Sequence, residues 1–329
     1  MASSHVKRNG PKVPDFISEA LERFKRNPKK LKNIKWWQEF KSILPAKNEN
    51  VKQKSIKIFF LATTVFMIFS AGYFFSYFKN TQHQNKIAAQ SGQIWTDSKV
   101  SVADRNRALR EQNKDFKGWL KIGGTNINNP VYQGEDDEFY INHNQLGKKD
   151  AHGALHISSA DTFDRQRNDK NITIFGNNMS DGTMFGTLKR YKNLDFYKYN
   201  PNISFSSIYG DDVYKVFAVF VLNTNIRDDN NYVFNAFQSK FDNKEEFDKW
   251  IKEVRKRSIL NINVDVQNTD ELLTLVTEAD DFEGANLVVM ARKVRKNESS
   301  ITNTKLAAVN PNPQYPKRWY DEKSIKYPY

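Results

Sequence analysis

A mostly β exported domain behind a single membrane-spanning helix is the architecture this sequence predicts, and three observations predict it. The 21 residues from Ile58 to Phe78 carry no charged side chain. Lysines crowd the N-terminal side of that run. Beyond Phe116 come eight short β-rich stretches separated by turn residues, the signature of a barrel or a sandwich.

The first element is the tail, residues 1–57. It holds 15 of the 51 Lys and Arg and 5 of the 38 Asp and Glu, so most of the +13 net charge lies there. A nucleic-acid binder carries its basic surface on the folded domain. Charge beside an apolar run points instead to a membrane surface, and no nucleic-acid partner is expected. Within the tail, Pro14 and Asp15 open one amphipathic stretch, and a second follows Pro28 with Leu31, Ile34, Trp37, Ile43 and Leu44 among lysines. Basic helices with an aromatic face suit an anionic membrane surface.

The second element is the run over 58–78. At about 1.5 Å per helical residue it reaches about 30 Å, the depth of a bilayer core. It sits too far along the chain, and lacks the small-residue cleavage site, for a removable leader. Lys47, Lys52, Lys54 and Lys57 keep the N-terminus inside, so the rest is exported. Residues 79–110 are polar and read as a linker with one or two helices.

Strands are expected at Trp119–Ile122, Asn129–Gln133, Ala154–Ser158 and Asn171–Gly176. Four more are expected at Ile203–Ile208, Val213–Leu222, Glu271–Thr277 and Asn286–Val294. One strong helix interrupts them at Asn243–Arg257, where Phe247, Trp250, Ile251 and Val254 share a face. A shorter helix is expected over Met184–Tyr191. Residues 297–329 are polar and proline-bearing and read as a loose C-terminal tail.

The chain contains no cysteine, which excludes disulfides, thiolate metal sites and any thiol nucleophile. The acidic run Glu135, Asp136, Asp137 and Glu138 reads as a solvated loop rather than a calcium site, and Asp228 to Asn231 as a turn. Gly123-Gly124-Thr125 is a turn and not a phosphate loop, because no helix follows it. No metal and no cofactor is expected.

Five segments in order resemble the class B sortases. They are DFKGWLKIGGTNINNPVYQ (Asp115–Gln133), EFYINHN (Glu138–Asn144), NITIFGNNMSDGTMFGTLKRYKN (Asn171–Asn193), FDKWIKEVRKRSI (Phe247–Ile259) and LLTLVTEADDFEGANLVVMARKV (Leu272–Val294). The resemblance covers roughly residues 110–295 and implies a sortase-type eight-stranded β-barrel with a few helices, over 111–296. It also implies a bacterial plasma membrane as the location. Sortases cleave a sorting signal with a cysteine, pass through a thioacyl intermediate, and hand the acyl group to an amine.

Carried over residue by residue, the resemblance puts Asn177 where the catalytic histidine belongs and Glu278 where the cysteine belongs. Arg292 matches the arginine that steadies the oxyanion. Asn178, Met179, Thr277 and Arg292 then become candidates for the substrate groove. A carboxylate is a weak nucleophile toward amides, and asparagine cannot exchange a proton at ordinary pH. The three domain histidines, His143, His152 and His156, stand at none of the motif positions, and Ser180 and Thr277 have no evident base. Glu278 and Arg292, on adjacent strands, have two readings: a charge-assisted pair that closes the old site, or a drifted position at which Glu278 faces solvent with no partner.

Three readings follow. The leading one is a catalytically silent, membrane-anchored accessory factor that binds an exported polypeptide or a neighbour in surface-protein or pilus assembly. The second is a divergent transpeptidase or hydrolase with a nucleophile other than cysteine. The third is a decayed structural membrane protein. Asn312-Pro313-Gln314 in the tail resembles the start of a sorting signal, so a self-occupying pseudosubstrate is conceivable.

Overall fold

The computed structural model describes residues 44–46, 48–96, 100–164, 168–228 and 232–329. The amphipathic stretches expected before Leu44, and most of the turn at 228–231, lie outside those residues. The chain divides between Lys79 and Asn80 into two compact units.

The first unit holds most of helix α1 (Val51–Thr96). Its segment Val51–Lys79 is long and apolar enough to cross a membrane, and its large apolar side chains, such as Phe59, Phe66, Phe69 and Phe74, are exposed. The uncharged run at 58–78 lies inside that segment.

In the second unit, helix α2 (Val102–Gln112) is capped by Ser101, whose side chain accepts from the backbone N–H of Asp104. Eight strands then build a closed barrel: β1 (Phe116–Ile122), β2 (Asn128–Tyr132), β3 (Leu155–Ile157), β4 (Asn171–Phe175), β5 (Asn202–Ser207), β6 (Gly210–Asn223), β8 (Leu272–Glu278) and β9 (Ala285–Lys293). The order around the barrel is β1-β2-β3-β4-β8-β9-β6-β5, closed by β5 on β1. Pairing is antiparallel except for β2 with β3 and β4 with β8. These are the eight expected strands. Closure removes the exposed edges that such β-branched runs would otherwise present.

The interior is one apolar cluster that includes Leu120, Val131, Ile174, Phe205, Val219, Leu275 and Val289. Helix α4 (Lys244–Arg257) spans the β6–β8 connection and buries Phe247, Trp250, Ile251 and Val254. Asn243, the first residue of the helix expected from the sequence, caps it by accepting from Glu246 N–H.

Two expectations change. The helix at Met184–Tyr191 is instead a tight loop, then a 3-10 turn (Leu188–Lys192) and helix α3 (Leu194–Tyr199) capped by Asn193. Gly182 has φ +79°, and a Cβ at Gly186 would stand 2.1 Å from Met179 O, so the chain folds back on itself there.

The tail is also ordered. Strand β10 (Ala308–Val309) pairs with β7 (Leu260–Asn261), helix α5 (Lys317–Glu322) follows, and Ala307 and Tyr320 are buried. Its anchors are backbone hydrogen bonds and a few aromatic rings, which average polarity conceals.

Candidate functional site

Three neighbouring strands end together at one mouth of the barrel. β4 and β8 run parallel, with Phe175 opposite Val276 as the last pair. Asn177 and Glu278 each lie two residues further on. β9 returns antiparallel to β8 and places Asn286 opposite Glu278. Residues two apart on a strand share a face, so Glu278 projects on the side of Val276.

Asn177 is committed to structure. Its carboxamide donates to Ile141 O at 2.8 Å and Ala151 O at 3.2 Å, stapling the 139–153 loop to the end of β4. The loop after it is held by Asp181, whose Oδ1 accepts from the N–H and hydroxyl of Thr183. His152 is buried between Asp150 (3.1 Å) and Asp181 (3.3 Å) and ties the same two loops together. Burial pushes the Asp181 carboxyl up, but hydrogen bonds from Thr183 and His152 outweigh it and hold it below the usual range. His143, in the stapled loop, stacks on Phe139 at 4.3 Å. His156 lies under the site beside Phe175, and burial pushes its imidazole pKa down.

Glu278 is exposed, and among the described residues its carboxylate has no hydrogen bond or ion pair. It lines a cavity of about 130 Å³ with Asn178, Thr277, Lys189, Lys192 and Leu287. The Thr277 hydroxyl is buried and finds no partner among those residues. Both lysines are engaged by the loop after β8: Lys189 pairs with Asp280 at 3.4 Å, and Lys192 with Asp281. Among the described residues, Glu278 is the one charge in the cavity wall that is not neutralised. Met179, the remaining groove candidate, leans on the barrel core.

Arg292 is elsewhere, and the Glu278–Arg292 pair does not exist. The β8–β9 register puts Arg292 opposite Leu272, six residues from the Glu278 pair. At about 3.3 Å per residue the two are roughly 20 Å apart. Arg292 is 2% exposed and forks onto Glu298, with Nη2 to Oε1 at 2.9 Å, while its Nε donates to Asp265 O at 2.9 Å. Those hydrogen bonds hold the Glu298 carboxyl well below the usual carboxylate range. The residue that faces Glu278 is Asn286, whose carboxamide reaches Gly284 O at 3.4 Å. The sequence carried a signal for this. In a hairpin whose strands are joined by a short loop, the partner of the last residue of one strand lies just past that loop, not fourteen residues on.

The strand ends therefore present Asn, Glu and Asn at 177, 278 and 286. This set offers a carboxylate and two carboxamides, with no thiol anywhere in the chain. It can hold polar or cationic groups; it has no thiolate and no imidazole to move a proton at the strand ends.

No protein-family profile matches the chain. Among curated proteins it is 30% identical over 203 residues to sortase B of Listeria monocytogenes, covering 61% of this chain and 78% of that protein. It is 25% identical over 240 residues to sortase B of Staphylococcus aureus, covering 72% of this chain and 94% of that one. Among solved structures, a cysteine-to-serine mutant of Clostridium perfringens sortase B superposes with a TM-score of 0.54 at 31% identity, covering 59% of this chain and 88% of that chain. The closed eight-stranded barrel and these matched lengths agree: the chain belongs to the class B sortase family.

Proposed function

We propose that this protein is a catalytically silent class B sortase relative that binds, and does not cleave, an exported polypeptide during surface-protein or pilus assembly. Segment Val51–Lys79 anchors it in a bacterial plasma membrane. The lysines before that segment keep the N-terminus inside and the barrel outside. The observation that carries the reading is the strand-end set Asn177, Glu278 and Asn286 in a chain without cysteine. Acyl transfer through a thioester needs a sulfur nucleophile and a proton donor for the leaving amine, and loss of both removes most of the catalytic advantage. The 130 Å³ cavity beside Glu278 is then a recognition pocket.

The full-length protein in detergent, mixed with sorting-signal peptides and an amine, is expected to bind peptide saturably with no joined or hydrolysed product. The unpaired Glu278 carboxylate favours one rival reading, a divergent enzyme with Glu278 as nucleophile. Turnover that disappears in Glu278→Gln would establish that rival. Neither binding nor turnover would leave a structural membrane protein. The triple variant Asn177→His, Glu278→Cys, Asn286→Arg is expected to gain labelling by thiol reagents faster than Glu278→Cys alone.

A further inference from the structure

The last 32 residues lie beyond the five sortase-like segments, and their path is specific. They start at the Arg292 end of the barrel, where Glu298 takes Arg292 and Lys215. The chain then crosses β5, where Asn202 donates to Ser300 O at 2.8 Å. β10 adds to β7, and Asn310 follows with its N–H on Ile259 O at 2.8 Å and its carboxamide on Ser258 O at 2.7 Å. Gln314 N–H reaches Lys256 O at 2.9 Å, at the end of α4. Asn312-Pro313-Gln314 thus docks on the end of α4, apart from the cavity lined by Glu278, and is no pseudosubstrate.

Beyond Gln314, Tyr315 and Trp319 stack face to face at 4.0 Å. They pack with Ala279 against Val221, Phe282 and Ala285. Ala279 and Phe282 belong to the β8–β9 connection, the loop that leaves Glu278 and returns to Asn286. The same loop is gripped on another side by Lys189 and Lys192 through Asp280 and Asp281. It is six residues long with Gly284 at φ +81°, and among the described residues two backbone hydrogen bonds close it, Ala279 N–H to Ala285 O and Ala285 N–H to Phe282 O. Such a loop has little internal reason to hold one shape.

We propose that the C-terminal segment 298–329 is a strap whose Tyr315–Trp319 stack is the positioning element for the β8–β9 loop, and so sets the width of the pocket beside Glu278. The inference rests on the reading of that pocket as a binding site, and it adds what controls it. The strap acts through an apolar contact and the lysine clamp through charge, so the two supports fail under different conditions. High salt weakens the clamp and leaves the strap in place.

Amide hydrogen exchange on the full-length protein tests the strap without any ligand. Trp319→Ala is expected to speed exchange at Ala279 and Ala285 about tenfold or more. Amides of Leu273 to Leu275, in the middle of β8, are expected to keep their wild-type rates. Trp319→Phe keeps an aromatic face on Phe282 and is expected to restore protection. Trp319→Leu, which keeps part of the apolar bulk without the stacked ring, gives an intermediate rate and serves where alanine unfolds the domain. Unchanged exchange at 279 and 285 in the alanine and leucine variants overturns the proposal, as does equal acceleration throughout β8. Peptide affinity measured in the same variants is a separate readout: absence of peptide binding by the wild type refutes the pocket, whereas the exchange pattern alone decides the strap.

Discussion

The two ends of the β8–β9 ladder are built from similar residue types and do opposite things. At one end Arg292 is buried, forked onto Glu298 and 3.9 Å from Asp270, which is itself held by both Nε and Nη2 of Arg295 at 2.7 Å. Lys215 completes the set on Glu298 at 2.7 Å. At the other end Glu278 stands exposed, without a partner among the described residues, between two asparagines. Every buried charge at the Arg292 end is matched, as burial demands, because an unpaired ion there would lose several kcal/mol of hydration. Exposure lifts that demand at position 278. One end uses its charges for the fold; the other leaves a charge in solvent.

That contrast can be broken most forcefully at Arg292. Arg292→Ala takes the guanidinium fork from Glu298, which keeps Lys215 alone, and opens a gap in a buried charge network beside Asp270; it is expected to cost about 3 kcal/mol, read as a fall in the urea midpoint with an unchanged slope. A loss below about 1 kcal/mol would mean that the network contributes little and that the two ends do not differ.

Acid titration sharpens the same point. Hydrogen bonds from Arg292 keep the folded-state Glu298 carboxyl below its unfolded value near 4.5. Its contribution is therefore fully present above about pH 4.5 and is lost as pH falls toward the folded value. With part of the carboxylate in solvent, about 1 to 2 kcal/mol is expected to disappear in that window. Glu298→Gln should show no such loss over the same range; an unchanged acid limb would exclude Glu298 as its source.

Asn177 supplies the intermediate case, a site position that still supports the fold. Asn177→Ala removes two hydrogen bonds to loop carbonyls and is expected to cost about 1 kcal/mol, with faster exchange in the 139–153 loop. The smallest effect belongs to Glu278. Glu278→Gln is expected to change stability by less than about 0.5 kcal/mol. The cycle of Glu278→Gln with Arg292→Lys should be additive within about 0.5 kcal/mol, since roughly 20 Å separates the two. A larger coupling energy would revive a direct pair.

Much of this molecule was legible in its residues. Alternating β-branched and aromatic runs located all eight barrel strands, because a strand that buries one or both faces must repeat its apolar side chains at the pleat's period. The apolar face of Phe247, Trp250, Ile251 and Val254 marked α4 to within a residue of its observed start. An uncharged stretch long enough for a bilayer marked the apolar part of α1. Asn177 and Glu278, each read from a short local motif, do fall at the ends of the paired strands β4 and β8.

What the chain alone left undecided was which residues meet. Arg292 matched by type, but facing positions follow from how tightly the β8–β9 loop turns, and that turn brings Asn286 to Glu278 and carries Arg292 to the other end. The tail looked loose because its hold on the barrel comes from backbone groups, from β10 on β7 and from two stacked rings, none of which stands out in a polar sequence. Local composition determines what each segment can form, since propensity and periodicity act over a few residues. Partnership across the barrel is decided only when register and loop geometry bring distant segments into contact.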